Sequence, residues 1–328
     1  MSVCQSKHDD DEYTKNDDND MLTNLPKEKG WRTEHLYQYK SFWLALGALK
    51  GIKRMQQCFK AQPTDIFLVT SPKSGTTWFK SLIYAIINRD RFDISSHPLL
   101  TKGPHDRVPF LEAIIQNEDS YNDYRTSSSP LLFATHIPYS LLPTSVISFG
   151  CKIVYVFRDT KDVLVSNWNF MTKLRPKDLP SFPIEDAFDL FCKGVSHYGP
   201  FWDHVSDYWK ASLENPDRVL FLTYEDMKKN PNVCVTKLAK FLDKPFADGE
   251  EEEDQVQDII KLCSFDNLRN LEVNQTGVQH FSSQFAVENR HFFRKGEVGD
   301  WRNHLTVEMA QQMDQITKQK LGGTGFNC

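Results

Sequence analysis

The stretch Asp65-Ile66-Phe67-Leu68-Val69-Thr70-Ser71-Pro72-Lys73-Ser74-Gly75-Thr76-Thr77-Trp78 decides the fold. Its first half is a short continuous apolar run, the pattern of a buried strand, and beyond it Trp78, Leu82, Ile83, Ile86 and Ile87 recur at helical spacing. Strand, tight loop and helix follow in that order. A loop that leads from a strand into a helix N-terminus offers unpaired backbone N–H groups and the positive end of the helix dipole, which makes it a site for an anion. Gly75 permits close approach of the backbone, Lys73 adds a point charge, and Ser74, Thr76 and Thr77 add hydroxyl donors. A phosphate or a sulfate fits. The ATP-binding consensus GxxxxGK[ST] needs its lysine directly after the second glycine. Here Lys73 precedes the loop's only glycine, so that consensus fails. The competing reading is a Ser/Thr-rich turn whose hydroxyls merely cap the next helix.

Three further apolar runs have the same character. Residues 131–135 end at His136, residues 153–157 end at Arg158 and Asp159, and residues 219–223 end at Tyr224. Helical patterns occupy residues 159–171, 184–194, 201–213 and 232–242. Short apolar strands alternating with helices predict an α/β fold, a central, mostly parallel sheet flanked by helices on both faces, with a P-loop-like turn after one strand. Ligands of such sheets bind beyond the carboxyl ends of the strands, where the 70–78 loop, His136, Arg158 and Tyr224 all fall. Segments 172–183 and 275–289 read as loops able to cover that crevice. The acidic run 248–254 leads a solvated helix over 256–262 at its favourable end.

The chain has 328 residues, 40% of them hydrophobic and 25% charged, which suits one large α/β domain over 25–328. Asp9, Asp10, Asp11, Glu12, Asp17, Asp18 and Asp20 crowd residues 1–24, which read as an acidic disordered tail and not as a leader peptide. A net charge of -5 provides no general field for nucleic acid or for an anionic membrane, so any anion site must be local. No apolar run approaches the ~20 residues of a membrane helix. Seven scattered cysteines without a CxxC pair offer no metal site and suit a reducing compartment, so a cytoplasmic protein is expected. Asn274-Gln275-Thr276 matches a glycosylation sequon without a secretory context to give it effect.

Three segments taken together closely resemble the soluble, cytosolic sulfotransferases: the loop TSPKSGTTW, residues 153–166 with Arg158 and Ser166 eight apart, and Phe293-Arg294-Lys295-Gly296-Glu297-Val298-Gly299-Asp300-Trp301. The resemblance runs from about Leu25 to the C-terminus. Leu25-Pro26-Lys27-Glu28-Lys29-Gly30-Trp31 and Leu262-Cys263-Ser264-Phe265-Asp266-Asn267-Leu268 look like the plant branch in particular. Members of that family take a sulfuryl group from 3'-phosphoadenosine 5'-phosphosulfate, PAPS, and need no metal. The resemblance implies that Lys73, Ser74, Gly75, Thr76 and Thr77 hold the phosphosulfate, and that Arg158, Ser166, Arg294, Lys295 and Gly296 hold the 3'-phosphate. Trp78, Tyr224 and Phe265 would then serve the adenine. It implies a catalytic set of His136, Lys73 and Ser166, with His136 as general base, its pKa expected near working pH. Phe110, Tyr139 and Phe170 fall where the family places its acceptor pocket. The acceptor classes among plant relatives are flavonols, steroids including brassinosteroids, hydroxyjasmonates and desulfoglucosinolates. Where animal relatives carry a lysine two residues before the histidine, this chain has Ala134. Arg302-Asn303-His304-Leu305-Thr306-Val307 with Gln311 partly matches the family's dimerisation motif, which implies a weak homodimer.

Two other readings compete. A small-molecule kinase would explain the strand ending at Arg158-Asp159 and would require magnesium and ATP. A binder that kept the fold without activity would hold PAPS and transfer nothing.

Overall fold

The computed structural model describes residues 24–127, 130–247, 249–282 and 285–326, so the tail expected over 1–24 lies almost wholly outside the described residues. Its centre is a four-stranded parallel sheet in the order β5-β4-β6-β7. Three strands precede it as an antiparallel sheet: β1 (Lys27–Lys29), β2 (His35–Tyr39) and β3 (Phe42–Leu44). The central strands are β4 (Ile66–Thr70), β5 (Leu132–Thr135), β6 (Lys152–Phe157) and β7 (Val219–Thr223). All four expected strands are present, within a residue at each end.

Alternate residues explain why these runs are apolar throughout. Phe67, Val69, Phe133, Ile153, Tyr155 and Val219 point into one core, while Ile66, Leu68, Leu132, Val154, Val156 and Leu220 point into a second. Helices must therefore cover both faces. Thr76–Asn88 and Pro231–Phe241 serve one core; Thr160–Lys173, Ile184–Cys192 and Phe201–Glu214 serve the other.

The register aligns the strand ends. Val69 pairs with Thr135, which sets His136 beside Thr70, and Phe157 pairs with Thr223, which sets Arg158 beside Tyr224. One-residue slips would turn every side chain to the opposite face, so the buried alternation fixes this alignment.

Two segments differ from their sequence reading. The helix over the acidic run begins earlier, spanning Glu250–Leu262, because acids are well tolerated in a first helical turn. The loop expected over 275–289 contains the end of a helix, Glu272–Thr276, and an antiparallel hairpin, β8 (Val278–Ser282) and β9 (Phe285–Glu288). Asn274 of the sequon is buried and donates to the Leu268 carbonyl at 2.8 Å, so it presents no acceptor amide to solvent.

Trp31 anchors the N-terminal sheet. It is fully buried, its indole N–H donates to the Val195 carbonyl at 3.1 Å, and its ring meets Phe182 and Phe191. Trp31→Ala should cost about 3–5 kcal/mol of stability, the range for emptying a buried aromatic site, read from the urea unfolding midpoint.

Candidate active site

Between Thr70 and the helix that starts at Thr76, Lys73 and Gly75 both adopt left-handed conformations, with φ of 71° and 108°. A Cβ at Gly75 would stand 2.8 Å from the Tyr224 ring, so the chain passes too close to that ring for any larger residue. Ser74 Oγ is buried without a hydrogen-bond partner among the described residues. The amine of Lys73 lies 4.0 Å from the centroid of Phe170. Burial, and then the charges of Arg158, Arg294 and Lys173, push its pKa down to about 7. Among the described residues no carboxylate pairs with Lys73 itself, whereas Arg158 and Arg294 have acidic partners.

His136 leaves β5 beside the end of β4. Its Nδ1 donates to the Thr70 carbonyl at 2.8 Å, which fixes the tautomer and leaves the Nε2 lone pair free of any hydrogen bond among the described residues. Its backbone is held from both sides. The N–H donates to Glu112 Oε1 at 3.1 Å, and the carbonyl accepts from His204 Nε2 at 3.0 Å. His204 in turn takes the Tyr155 hydroxyl at Nδ1, 2.9 Å away. The pKa of His136 does not lie near working pH as the sequence reading expected. Burial, with the nearby charges of Lys80, His204 and Lys73, pushes it down to about 3, against the Thr70 hydrogen bond that favours the proton. The ring is therefore neutral, so Nε2 can accept a hydrogen bond.

Arg158, at the end of β6, is 6% exposed and stacks 4.5 Å over Tyr224. It donates to the carbonyls of Glu297 at 2.8 Å and Lys73 at 3.3 Å, and pairs with Asp162 at 3.4 Å. Its Nε is buried with no hydrogen-bond partner among the described residues, and so is that of Arg294. Asp162 also accepts from the backbone N–H groups of Gly299 and Trp301, which ties the Arg294–Trp301 loop to Arg158. Asp300 pairs with Arg294 and Lys295. Burial alone would raise its carboxyl, but these hydrogen bonds hold it well below the usual carboxylate range. Trp78 meets Tyr224 edge-on at 5.4 Å, and a Cβ at Gly296, whose φ is 68°, would run into the Phe265 ring at 2.5 Å. Three aromatic rings and two guanidinium groups thus frame one end of the site.

Many of these residues line one cavity of about 700 Å³. Lys73, Gly75, Thr76, Thr77, Trp78, His136, Arg158, Ser166, Tyr224, Phe265, Arg294, Lys295 and Gly296 contribute, together with Phe110 and Phe170 from the expected acceptor residues. Tyr139 does not. The chain turns through Pro138 after His136, and the Tyr139 ring packs edge-on against Tyr208 at 5.3 Å, away from the cavity wall. The far end is built by residues the sequence reading passed over: Arg32, His197 and Tyr198, and from the hairpin Phe281, Phe285 and Val287. The run of aromatics between 281 and 293 was a readable signal; Arg32 and His197 had none. Among the described residues, no group of three or more His, Cys, Asp or Glu side chains is placed to hold a metal ion, and no helix is long and apolar enough to cross a membrane.

Residues 63–325 match the sulfotransferase domain. The chain belongs to the sulfotransferase family. It is 44% identical over 308 residues to cytosolic sulfotransferase 16 of Arabidopsis thaliana, covering 94% of this chain and 91% of that one. It is 46% identical over 293 residues to a flavonol 3-sulfotransferase of Flaveria bidentis, covering 89% and 92%. A crystal structure of a sulphotransferase from Arabidopsis thaliana superposes with a TM-score of 0.76 at 38% identity over the whole of both chains. A mouse sulfotransferase complexed with PAP superposes with a TM-score of 0.64 at 25% identity, covering 87% of this chain and 94% of that one. The chain is thus a PAPS-dependent sulfotransferase. Its residues suit that donor. The orphaned Ser74 hydroxyl and the two orphaned guanidinium nitrogens are donors in search of an anion, in the cavity wall or directly beside it, and each would otherwise be a buried, unsatisfied group.

Two expectations follow for this sulfotransferase. Gly75→Ala should lose about 1–2 kcal/mol of stability to the left-handed backbone alone, seen by thermal unfolding, and should weaken PAP binding as Tyr224 is displaced. If Lys73 sits against the bound anion, binding carries a pH dependence. An anion at the loop raises its pKa above the value of about 7 in the free protein, so the contribution is complete below pH 7 and is lost as the pH climbs to the bound pKa. The Kd for PAP should be flat below pH 7 and rise by up to ~10-fold per unit above it, and calorimetry at pH 8 in buffers of different ionisation enthalpy should register proton uptake.

Proposed function

We propose that the protein sulfates a hydroxyl of a flat, largely apolar small molecule, with His136 as the general base and Lys73 assisting departure of the phosphate. The observation that carries this reading is that one cavity is lined by the anion-binding loop, by Arg158 and Arg294, by His136 and by a group of aromatic rings, with Phe110 4.8 Å from the His136 ring and 5.9 Å from Phe281.

The chemistry follows from those positions. His136 Nε2 accepts the acceptor's hydroxyl proton as the oxygen forms its bond to sulfur. The bond between sulfur and the bridging phosphate oxygen breaks, and that oxygen gathers negative charge. Lys73, Thr76, Thr77 and the backbone N–H groups of the helix N-terminus face it, and donors aimed at developing charge act more strongly in the transition state than in the ground state. Arg158, Ser166, Arg294 and Lys295 hold the 3'-phosphate, while Trp78, Tyr224 and Phe265 frame the adenine.

The acceptor end supports a polyphenol of the flavonol type over the other classes. Phe110, Phe170, Phe281, Phe285 and Phe292 supply flat apolar walls. Arg32 stacks 4.1 Å from Phe285, and His197 leaves both ring nitrogens unpartnered, neutral because burial and the Arg32 charge push its pKa down to about 3. These groups suit the carbonyl and additional hydroxyls that a flavonol carries and a plain steroid skeleton lacks. Two of the similar plant proteins are named as flavonol sulfotransferases.

The test is product formation from PAPS, followed by mass spectrometry, across flavonol, steroid, hydroxyjasmonate and desulfoglucosinolate acceptors without added magnesium. Flavonol sulfate should dominate. His136→Ala should lose about 10²–10⁴-fold in kcat while retaining PAP binding, and Lys73→Ala about 10²–10³-fold. Turnover unaffected by His136→Ala would overturn the assigned base, and preference for another acceptor class would overturn the flavonol reading.

A further inference from the structure

Lys80, the one lysine of the Thr76–Asn88 helix that follows the anion-binding loop, has no exposed surface at all. Its amine lies 3.5 Å from the centroid of Phe110 and 3.0 Å from His105 Nδ1, its one hydrogen-bond partner among the described residues. The other nitrogen of His105, Nε2, lies 3.2 Å from Thr77 Oγ1. His105 is 6% exposed and wedged between Phe110 and Phe292, at centroid distances of 5.7 and 4.1 Å. An unbroken line of hydrogen bonds therefore joins a buried amine to a hydroxyl in the cavity wall.

We propose that Lys80 and His105 are positioning residues that lock the Thr77 hydroxyl as a donor toward the 5'-phosphosulfate. This rests on the reading that the Lys73–Thr77 loop holds that group. An anion has only lone pairs to offer, so it takes the hydroxyl hydrogen of Thr77. The oxygen of Thr77 can then only accept from His105, so Nε2 carries the imidazole hydrogen and Nδ1 is the acceptor. Lys80 has an N–H to give to Nδ1 whether it is charged or neutral. Each link thus fixes the direction of the next, and the hydroxyl need not be reoriented when the donor arrives. Successive hydrogen bonds in one direction also polarise one another in a dry interior. The cost of burying an amine among Phe110 and the helix is the reason a purely structural role is a poor account of Lys80: a methionine of the same length would fill the space without it.

The test is a double-mutant cycle read by the Kd for PAP, which keeps the 5'-phosphate and needs no acceptor. Thr77→Val preserves shape, His105→Phe keeps a flat ring while removing both nitrogens, and Lys80→Met enters the same line from its other end, with thermal unfolding as the check on folding. Each single change should weaken PAP by roughly 10-fold, the scale of a hydrogen bond to a charged group. In the Thr77→Val background, His105→Phe and Lys80→Met should add nothing, because the link they act through is gone. Losses that multiply would overturn the relay while leaving the loop assignment standing. PAP affinity untouched by Thr77→Val would overturn both.

Discussion

The turn from β4 into the Thr76–Asn88 helix is the constraint on which the rest of the site depends. Two left-handed residues within it shorten the path enough for the helix to start directly over the strand end, and its first N–H groups are thereby aimed into the crevice. A left-handed lysine costs the chain energy that a glycine would not, of order 1–2 kcal/mol. What that conformation achieves is to carry the Lys73 side chain inward over Phe170. Gly75 meets a second demand, the approach of Tyr224, whose ring is itself stacked on Arg158. Loop, aromatic and guanidinium form one packed unit, and the position of each is set by the other two.

Electrostatics then has to reconcile a cluster of cations with a chain whose net charge is -5. The solution is a division of labour between two acids. Asp162 and Asp300, both buried, hold Arg158, Arg294 and Lys295 by ion pairs from behind and leave guanidinium nitrogens unsatisfied. Lys73 has no such counter-ion and loses affinity for its proton. The local field is therefore positive where the global one is negative, which is how a chain with no general field for anions still builds a local anion site.

What was legible in the sequence was whatever the chain encodes locally. Four apolar runs, each ended by a polar residue with chemistry to offer, gave the sheet and the crevice, because a parallel sheet covered on both faces must be apolar throughout and its ligands lie beyond its strand ends. The acceptor end escaped for the converse reason. Arg32 stands between the strands of a small antiparallel sheet, His197 lies in an irregular turn where Tyr198 has a φ of 61°, and Phe281 and Phe285 belong to a hairpin of only nine paired or bulged positions that reads as a loop. Only tertiary packing brings them together. Tyr139 shows the same limit in reverse: the family resemblance implied a place in the acceptor pocket, but after Pro138 its ring packs edge-on against Tyr208.

The depressed basicity of His136 is the feature that most shapes how such a site must work. A base whose conjugate acid is unstable in the free protein is a poor proton acceptor until something compensates the cations around it. On the proposed reading the donor would be that compensation. Phosphates bound beside Lys73 and Arg158 would cancel part of the field that Lys73 and Lys80 impose on the imidazole and would raise the proton affinity of His136 and Lys73 together. Proton abstraction from an acceptor hydroxyl would then become favourable only once the group it is to attack is in place. The coupling would also run the other way: loss of the sulfuryl group leaves fresh charge at the bridging oxygen, which would stabilise a protonated Lys73. Under that proposal, buried groups whose protonation depends on what they hold would order the reaction.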